Sequence, residues 1–291
     1  MKHIGLSILG LSLIVASCGD STWYDEYFGG DAYMLERSHA NVMRRFIFNG
    51  EVEEGVAWGF DLDGVNNTSG EEESCYEYDY VDPEGRTGID NQLAKIWTDL
   101  EPLVGEATQA LVQGAINQGD FLLLIEIEGL DDFQNDDDVT LHLFRGIQRP
   151  MLSTDSLIIP DQTFYVDEAF ASSTVRNLQI VDGKVEAGPI DFQVPIDILE
   201  ASFVMDVIDG MIRFEIDEHG NFDGYLGGFV EHGKVLDELI ATDAEQEAML
   251  VAPFFERNAD RRRVNGRCQE FSVAFGFEGT TSYVVRFGKN D

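Results

Sequence analysis

The 291-residue chain reads as mainly β: an antiparallel β-sandwich carrying two added helical segments. Three observations point there. Many short runs alternate apolar and polar residues and are separated by turns of Gly, Asp and Asn. Only two stretches, Asn91–Gln118 and Lys234–Phe255, carry a helical period. Neither alternates regularly with strands, as a doubly wound parallel sheet would require.

Arg44–Asn49 (RRFIFN) predicts a first strand and Gly55–Asp63 a second, with Gly50-Glu51 as the turn. In the second, Val56, Trp58, Phe60 and Leu62 alternate with Ala57, Gly59, Asp61 and Asp63. A period of two buries one face, so Phe60 and Leu62 point inward and the two aspartates share the other face. Asn91–Gln118 carries the stripe Leu93, Ile96, Trp97, Leu100, Leu103, Val104, Ala107, Leu111 and Ala115, a core-facing helical pattern. Pro102 and Gly105 split or kink it, and Gly119 ends it.

Phe121–Leu130 starts as a continuous apolar run and then alternates, a buried strand. Val139–Phe144 follows, with His142 between Leu141 and Leu143 and therefore expected on the outer surface. Phe164–Val166, Asn177–Val181 and Lys184–Glu186 are short strands, the last two joined by the hairpin signal Asp182-Gly183. Ile190–Val194 and Ile196–Leu199 flank Pro195. Ala201–Ile208 and Gly210–Ile216 meet at Asp209-Gly210. Phe222–Val230 is glycine-rich, which predicts bends or bulges. Lys234–Phe255 is the second helix, and Phe271–Phe277 with Ser282–Phe287 form a closing hairpin around Gly279.

At the N-terminus, Lys2 and His3 precede a 12-residue, largely apolar run, Ile4–Val15, and then Ala16-Ser17-Cys18. A signal peptide ends in small residues, and the run is too short to span a bilayer. Val15-Ala16-Ser17-Cys18 resembles the lipobox of bacterial lipoproteins. That resemblance implies cleavage before Cys18 and diacylation of its sulfur with palmitate-type chains. The other reading is an ordinary secretory signal with Cys18 incidental. Gly19, rather than an aspartate, follows the cysteine, which favours the outer membrane. The expected organisation is a signal peptide at 1–17, a tether at 18–40 and a single β-rich domain at 41–291.

Loss of residues 1–17 removes Lys2 alone among the 19 basic residues, leaving 18 against 55 acidic ones and a formal charge of −37. Such a field disfavours DNA, RNA and anionic membrane surfaces and favours divalent cations. The membrane is then reached through the lipid only. Apolar content is that of a folded protein rather than a disordered acidic tail. Cys18 set aside, Cys75 and Cys268 remain, and in an oxidising envelope compartment a single pair reads as a disulfide; the alternative is two separate thiols.

Asp61 and Asp63 repel unless something positive sits between them. Asp79, Asp82, Glu84, Asp90 and Asn91 follow within thirty residues. All offer the hard oxygens that calcium takes six to eight at a time. The spacing is not an EF-hand, because Gly64 comes straight after the second aspartate. The other reading is a solvated loop in which Asp90 caps the helix starting at Asn91. A second acidic stretch carries Asp131, Asp132, Asp136, Asp137 and Asp138, five aspartates in eight residues. Asp131, Asp132, Asp136 and Asp138 are the ligand candidates there, or merely a solvated hairpin tip. Arg257, Arg261, Arg262, Arg263 and Arg267 form the basic cluster. It reads as charge balance against the loop around Cys75, or as a recess for an anion. Tyr76, Tyr78 and Tyr80 alternate after Cys75, either as a sugar-stacking row or as a strand with one aromatic face.

Three motifs together, Gly59-Phe60-Asp61-Leu62-Asp63-Gly64, Gly88-Ile89-Asp90-Asn91-Gln92-Leu93 and Gly266-Arg267-Cys268 before Phe271-Ser272-Val273, resemble a group of uncharacterised lipoproteins from myxobacteria and related bacteria. The likeness spans nearly the whole mature chain. It implies a shared architecture, supports pairing of Cys75 with Cys268, and implies no activity.

The chain has no Gly-x-Ser-x-Gly, His-Glu-x-x-His, Cys-x-x-Cys, Walker loop or dinucleotide fingerprint. His39, His142, His219 and His232 show no metal-ligand spacing. Two carboxylates about 5–10 Å apart are all a glycosidase needs, so an enzyme stays open. The expectation is a cell-envelope lipoprotein whose β-sandwich binds or supports, without catalysis and with calcium ordering its loops. The partner would be an envelope protein or a glycan. The alternative is a carbohydrate-binding module or carbohydrate-active enzyme.

Overall fold

The computed structural model describes residues 32–35, 37–67, 75–102, 106–198 and 201–287. The signal segment, Cys18, most of the tether and Gly105 lie outside them. The elements in order are β1 (Ala32–Tyr33), β2 (Ser38–Phe48), β3 (Tyr80–Val81), β4 (Thr87–Ile89), α1 (Gln92–Leu100), α2 (Glu106–Gln118), β5 (Leu123–Glu128), β6 (Asn135–Ile147), β7 (Gln162–Val166), β8 (Ser173–Val181), β9 (Lys184–Ile198), β10 (Ala201–Ile216), β11 (Phe222–Glu231), α3 (His232–Ala241), α4 (Glu245–Arg257), β12 (Arg261–Val264) and β13 (Arg267–Phe287). The fold is mainly β, sandwich-like and antiparallel, with helices in two added blocks. β1 and the first residues of β2 fall inside the segment expected as a tether.

The two layers are continuous with each other. β2, β5, β6, β8, β9, β10, β11 and β13 neighbour one another in chain order, and β13 then pairs with β2, so the sheet returns on itself. Closure of this kind leaves few exposed edges. The joint between β8 and β9 is the lightest. It carries one ladder pair, Val181–Lys184. Further along, Ser173 Oγ donates to the Asp191 carbonyl at 3.0 Å and accepts its N–H at 2.8 Å. The Asp182-Gly183 turn is a hairpin as expected, with φ of 51° and 76° matching a primed turn.

Phenylalanine fills the interior. Phe46 stacks near Phe275 at 4.6 Å and Phe214 on Phe222 at 4.5 Å, all of them buried. β2 pairs with β5 only from Ser38 to Val42. Beyond that, two α2 glutamines replace the missing strand. Gln109 Nε2 donates to the Phe46 carbonyl at 2.6 Å and its Oε1 accepts from Phe48 N at 3.3 Å. Gln113 Nε2 donates to the Arg44 carbonyl at 3.0 Å. Buried backbone groups need partners, and side-chain amides supply both donor and acceptor.

Several expectations are corrected. Residues 271–287 are not a hairpin: β13 runs unbroken through Gly279, where the register shifts against β2. A Cβ at Gly279 would meet Asn41 Oδ1 at 2.9 Å, so this glycine marks a bulge rather than a turn. Asp209-Gly210 likewise sits in a bulge within β10. The glycine-rich β11 pairs with β13 from Asp223 to Glu231 without a slip, and its irregularity falls on the other side, where the ladder to β10 shifts opposite Gly228. A Cβ at Gly210 would run into the Gly227 carbonyl, so the chains meet where side chains are absent. Lys234–Phe255 is two helices, broken at Asp243 with φ of 60°.

His142 is not on the surface. It is 6% exposed, bonded through Nδ1 to Thr174 Oγ1 and through Nε2 to Glu128, each at 2.9 Å. Arg286 lies over Phe144, which stacks on His142, and pairs with buried Glu126 at 2.5 Å. Alternation shows which residues share a face; it does not show that the face stays open.

Candidate metal centre and adjoining cleft

The segment between β2 and α1 folds over the outer side of β11 and β13. It is not the strand expected at Gly55–Asp63. Its backbone makes only isolated bridges, Glu53–Val56, Val56–Val81 and Phe60–Asp90. Ala57 and Phe60 are buried while Leu62 is half-buried, so the period-two burial fails. Gly55 and Gly64 both take φ of 76°, turning the chain away from extension at each end.

Four anchors hold the segment down. Asn91, rather than Asp90, caps α1: its Oδ1 accepts from Ala94 N at 3.2 Å and also from Ala274 N at 3.1 Å. Its Nδ2 donates to the Trp58 carbonyl at 2.6 Å. The next residue, Gln92, donates its N–H to Ser272 Oγ at 2.9 Å, and the Ser272 hydroxyl and N–H both donate to buried Asp260. The Trp58 ring stacks on Tyr225 at 4.6 Å with 16° between planes. Cys75 and Cys268 form a disulfide with Cα atoms 6.1 Å apart, as expected from their count.

These anchors bring Asp61, Asp63 and Asp90 together. One oxygen from each lies within 4.8 Å of the others. Asp61 Oδ1 accepts from Gly64 N at 2.7 Å and Asp63 Oδ1 from Val65 N at 2.8 Å. Asp90 Oδ2 accepts from Leu62 N at 2.7 Å and Asp63 N at 3.3 Å. The backbone therefore fixes one oxygen of each carboxylate and orients the other. Asp90 is buried, and its pKa is pushed up to about 8, chiefly by loss of water and then by repulsion from Asp63. Burial also pushes Asp79 up to about 6 against the hydrogen bond from Asn67, with Asp63 adding repulsion. Burial pushes Asp260 up to about 7 against its bonds to Ser272.

The donor set fits a hard divalent cation. Oxygens 2.3–2.6 Å from a calcium ion lie up to about 5 Å apart, and this spacing agrees. Asp61, Asp63 and Asp90 would hold the ion, with backbone carbonyls and water completing the shell. Asp82 drops out of the expected ligand field, being buried in an ion pair with Arg86 and accepting the N–H groups of Glu84 and Arg86. Glu84 pairs with Arg86 at 3.1 Å.

The second acidic stretch is built differently. Asp136 Oδ2 accepts from Asp131 N at 2.7 Å and Asp132 N at 3.4 Å, and its Oδ1 accepts from Asp138 N at 3.3 Å. These N–H groups hold the Asp136 carboxyl below its ordinary range. Asp131 pairs with Arg37. Asp136 and Asp138 belong to β6 rather than to a tip. Among the described residues, Asp61, Asp63 and Asp90 are the grouping of acids, histidines or cysteines able to hold a metal.

Among the described residues, three arginines of the cluster balance carboxylates outside the loop around Cys75. Arg261 pairs with Asp209 at 2.5 Å and Glu270 at 3.0 Å, and Arg262 with Glu270 at 3.0 Å. Arg257 pairs with Asp99 at 3.1 Å. The tyrosine row does not form: Tyr76 and Tyr78 are exposed, whereas Tyr80 is buried and donates to Glu51 at 2.9 Å.

An open cleft of about 410 Å³ lies between Trp58 of this segment and β9–β11. Trp58, Glu84 and Arg86 form one wall; Arg213, Asp223 and Tyr225 stand on the other. Sequence reasoning missed it. Trp58 and Tyr225 meet only through folding, and neither lies in a pattern that points to the other. No protein-family model matches the chain, and neither the curated proteins nor the solved structures include one similar to it.

Proposed function

We propose that this chain is a lipid-anchored domain of the cell envelope, acting in binding or envelope structure rather than catalysis, with calcium ordering the segment between β2 and α1. The observation that carries the metal reading is buried Asp90 facing Asp61 and Asp63. A buried carboxylate beside two others is costly unless protonated or paired with a cation. The lipobox-like Val15-Ala16-Ser17-Cys18 supports the anchor, and the Cys75–Cys268 disulfide supports an oxidising compartment. The alternative, a carbohydrate-binding module or carbohydrate-active enzyme, keeps exposed Tyr76 and Tyr78 but not buried Tyr80 of the tyrosine row that motivated it. Turnover and binding on a polysaccharide panel remain its test.

The metal reading is tested by melting the purified protein at pH 7.5 in EDTA and then in calcium from micromolar to millimolar. The Tm is expected to rise with concentration, since a ligand of the folded state stabilises by RT ln(1 + [L]/Kd). Asp63→Asn is expected to abolish the rise. A melt that calcium does not move would leave Asp61 and Asp63 as surface charge and Asp90 as a buried acid without an ion. Incorporation of labelled palmitate in cells, lost in Cys18→Ser, tests the anchor.

A further inference from the structure

The cleft beside Trp58 has an uneven charge ledger. Its three basic residues are already engaged. Arg86 pairs with Asp82 and Glu84. Lys184 pairs with Glu215 at 2.8 Å and Arg213 with Glu186 at 2.6 Å. Asp223 is the carboxylate left over: among the described residues it has no hydrogen-bonded or ion-paired partner. Cross-strand register sets it opposite Glu215 on β10 and opposite Glu278 on β13. Like charges directly across a ladder repel. Two residues along the same strand face stands Tyr225, stacked on Trp58.

We propose that this cleft binds an organic cation, a protonated amine or guanidinium on an apolar stem, with Asp223 as counter-charge and the Trp58–Tyr225 pair as the surface for the stem. Among the described residues an anion finds no free basic group there. A neutral ligand would leave in place the repulsion that Asp223 meets from Glu278 and Glu215, which the pairs with Arg44, Arg45 and Lys184 offset only in part. A cation relieves it, and indole and phenol rings attract cations through their faces. The formal charge of −36 also concentrates cations at a concave surface. The volume lies in the range of small-ligand sites. The chemistry fits a lysine or arginine side chain of a partner protein and equally a free polyamine. The inference rests on the reading of the domain as a binding module and is independent of the metal.

The test is a titration of the full chain followed by tryptophan fluorescence, run once in EDTA and once in calcium. The probes are cadaverine, N-acetyl-lysine amide and N-acetyl-arginine amide, with 1-pentanol and N-acetylglucosamine as neutral comparisons. Saturable responses to the cations, weakened by added salt, are expected. Asp223→Asn should weaken them at least tenfold while leaving the melt intact, and Trp58→Phe should remove the optical signal while calorimetry still detects binding. Preference for the amino-acid amides over cadaverine assigns a partner side chain; the reverse assigns a free polyamine. Silence with all three cations, equal binding of N-acetylglucosamine, or an unchanged affinity in Asp223→Asn overturns the proposal. None of these outcomes bears on the calcium melt, so the two readings fail separately.

Discussion

Asp90 accepts the backbone N–H of Asp63 at 3.3 Å while the carboxylate of Asp63 opposes its charge. One residue thus both stabilises and destabilises the same anion. Its N–H favours the ionised form, and its side chain and the surrounding burial favour the proton. A proton or a divalent cation resolves the conflict, and the two are mutually exclusive.

The pH dependence follows with a definite sign. Asp79, Asp260 and Asp90 are held at about 6, 7 and 8 in the folded chain, against about 4 unfolded. A raised acid contributes stability that is complete below about pH 4 and lost as pH climbs through the folded values. In EDTA the Tm is expected to fall between pH 5 and pH 8.5. Millimolar calcium should flatten the upper part of that fall. Asp90→Asn copies the protonated form, so at pH 8 in EDTA it should melt above the wild type and ignore calcium. A wild-type Tm that climbs over this range would contradict the burial argument.

Asn91 joins three parts of the fold through one amide. Alanine there removes a helix cap, worth about 1 kcal/mol. It also orphans the buried Ala274 N–H and the Trp58 carbonyl. Unsatisfied buried groups cost about 1–3 kcal/mol, so Asn91→Ala should cost about 3 kcal/mol in a urea titration at constant m-value. A loss under about 1 kcal/mol would show that water replaces the amide.

Glu126 and Arg286 are a buried ion pair, the carboxylate side chain 1% exposed. Removing one partner of such a pair costs about 3–5 kcal/mol, because the other charge is stranded. Glu126→Ala should fall in that range. The double replacement Glu126→Leu with Arg286→Met should recover most of the loss, and its failure to do so would mean that the pair specifies packing as well as charge.

The disulfide joins residues 193 apart in sequence. Cys75→Ser with Cys268→Ser should cost about 2–5 kcal/mol by the chain-entropy argument and the behaviour of native disulfides. Limited proteolysis should then cut first between residues 50 and 90, with the sheet surviving as a resistant fragment. Simultaneous loss of both would show that the segment and the sheet unfold together.

Local pattern carried far where one residue's role depends on its near neighbours. The runs that became β5 and β8–β9 were legible because apolar alternation and a primed Asp-Gly turn act within a few residues. So was α1, where the Leu93-Ile96-Trp97-Leu100 stripe is buried as a unit; on α2 the helix was legible but its core face was not, since Ala107 and Leu111 are exposed and Val112 and Ile116 are buried instead. Composition was equally direct about charge and about the cysteine pair. Pattern failed at Gly279, which could have been a turn or a bulge; the choice fell to Asn41 and Phe222 on neighbouring strands. It failed at His142, whose face is closed by Arg286 from the far end of the chain.

By itself, the sequence determined the secondary-structure class, the strongly negative field, the acidic character of the segment after β2 and the cysteines available to pin it. Those are properties of composition and of short periods, which need no distant partner. Only the tertiary structure decided which aspartates converge, that Asn91 rather than Asp90 caps the helix, and that Trp58 meets Tyr225. The physical reason is that charge repulsion, burial and ring stacking act through space. Asp63 and Asp90, or Trp58 and Tyr225, become neighbours only when β11 and β13 lie side by side beneath the segment that carries them.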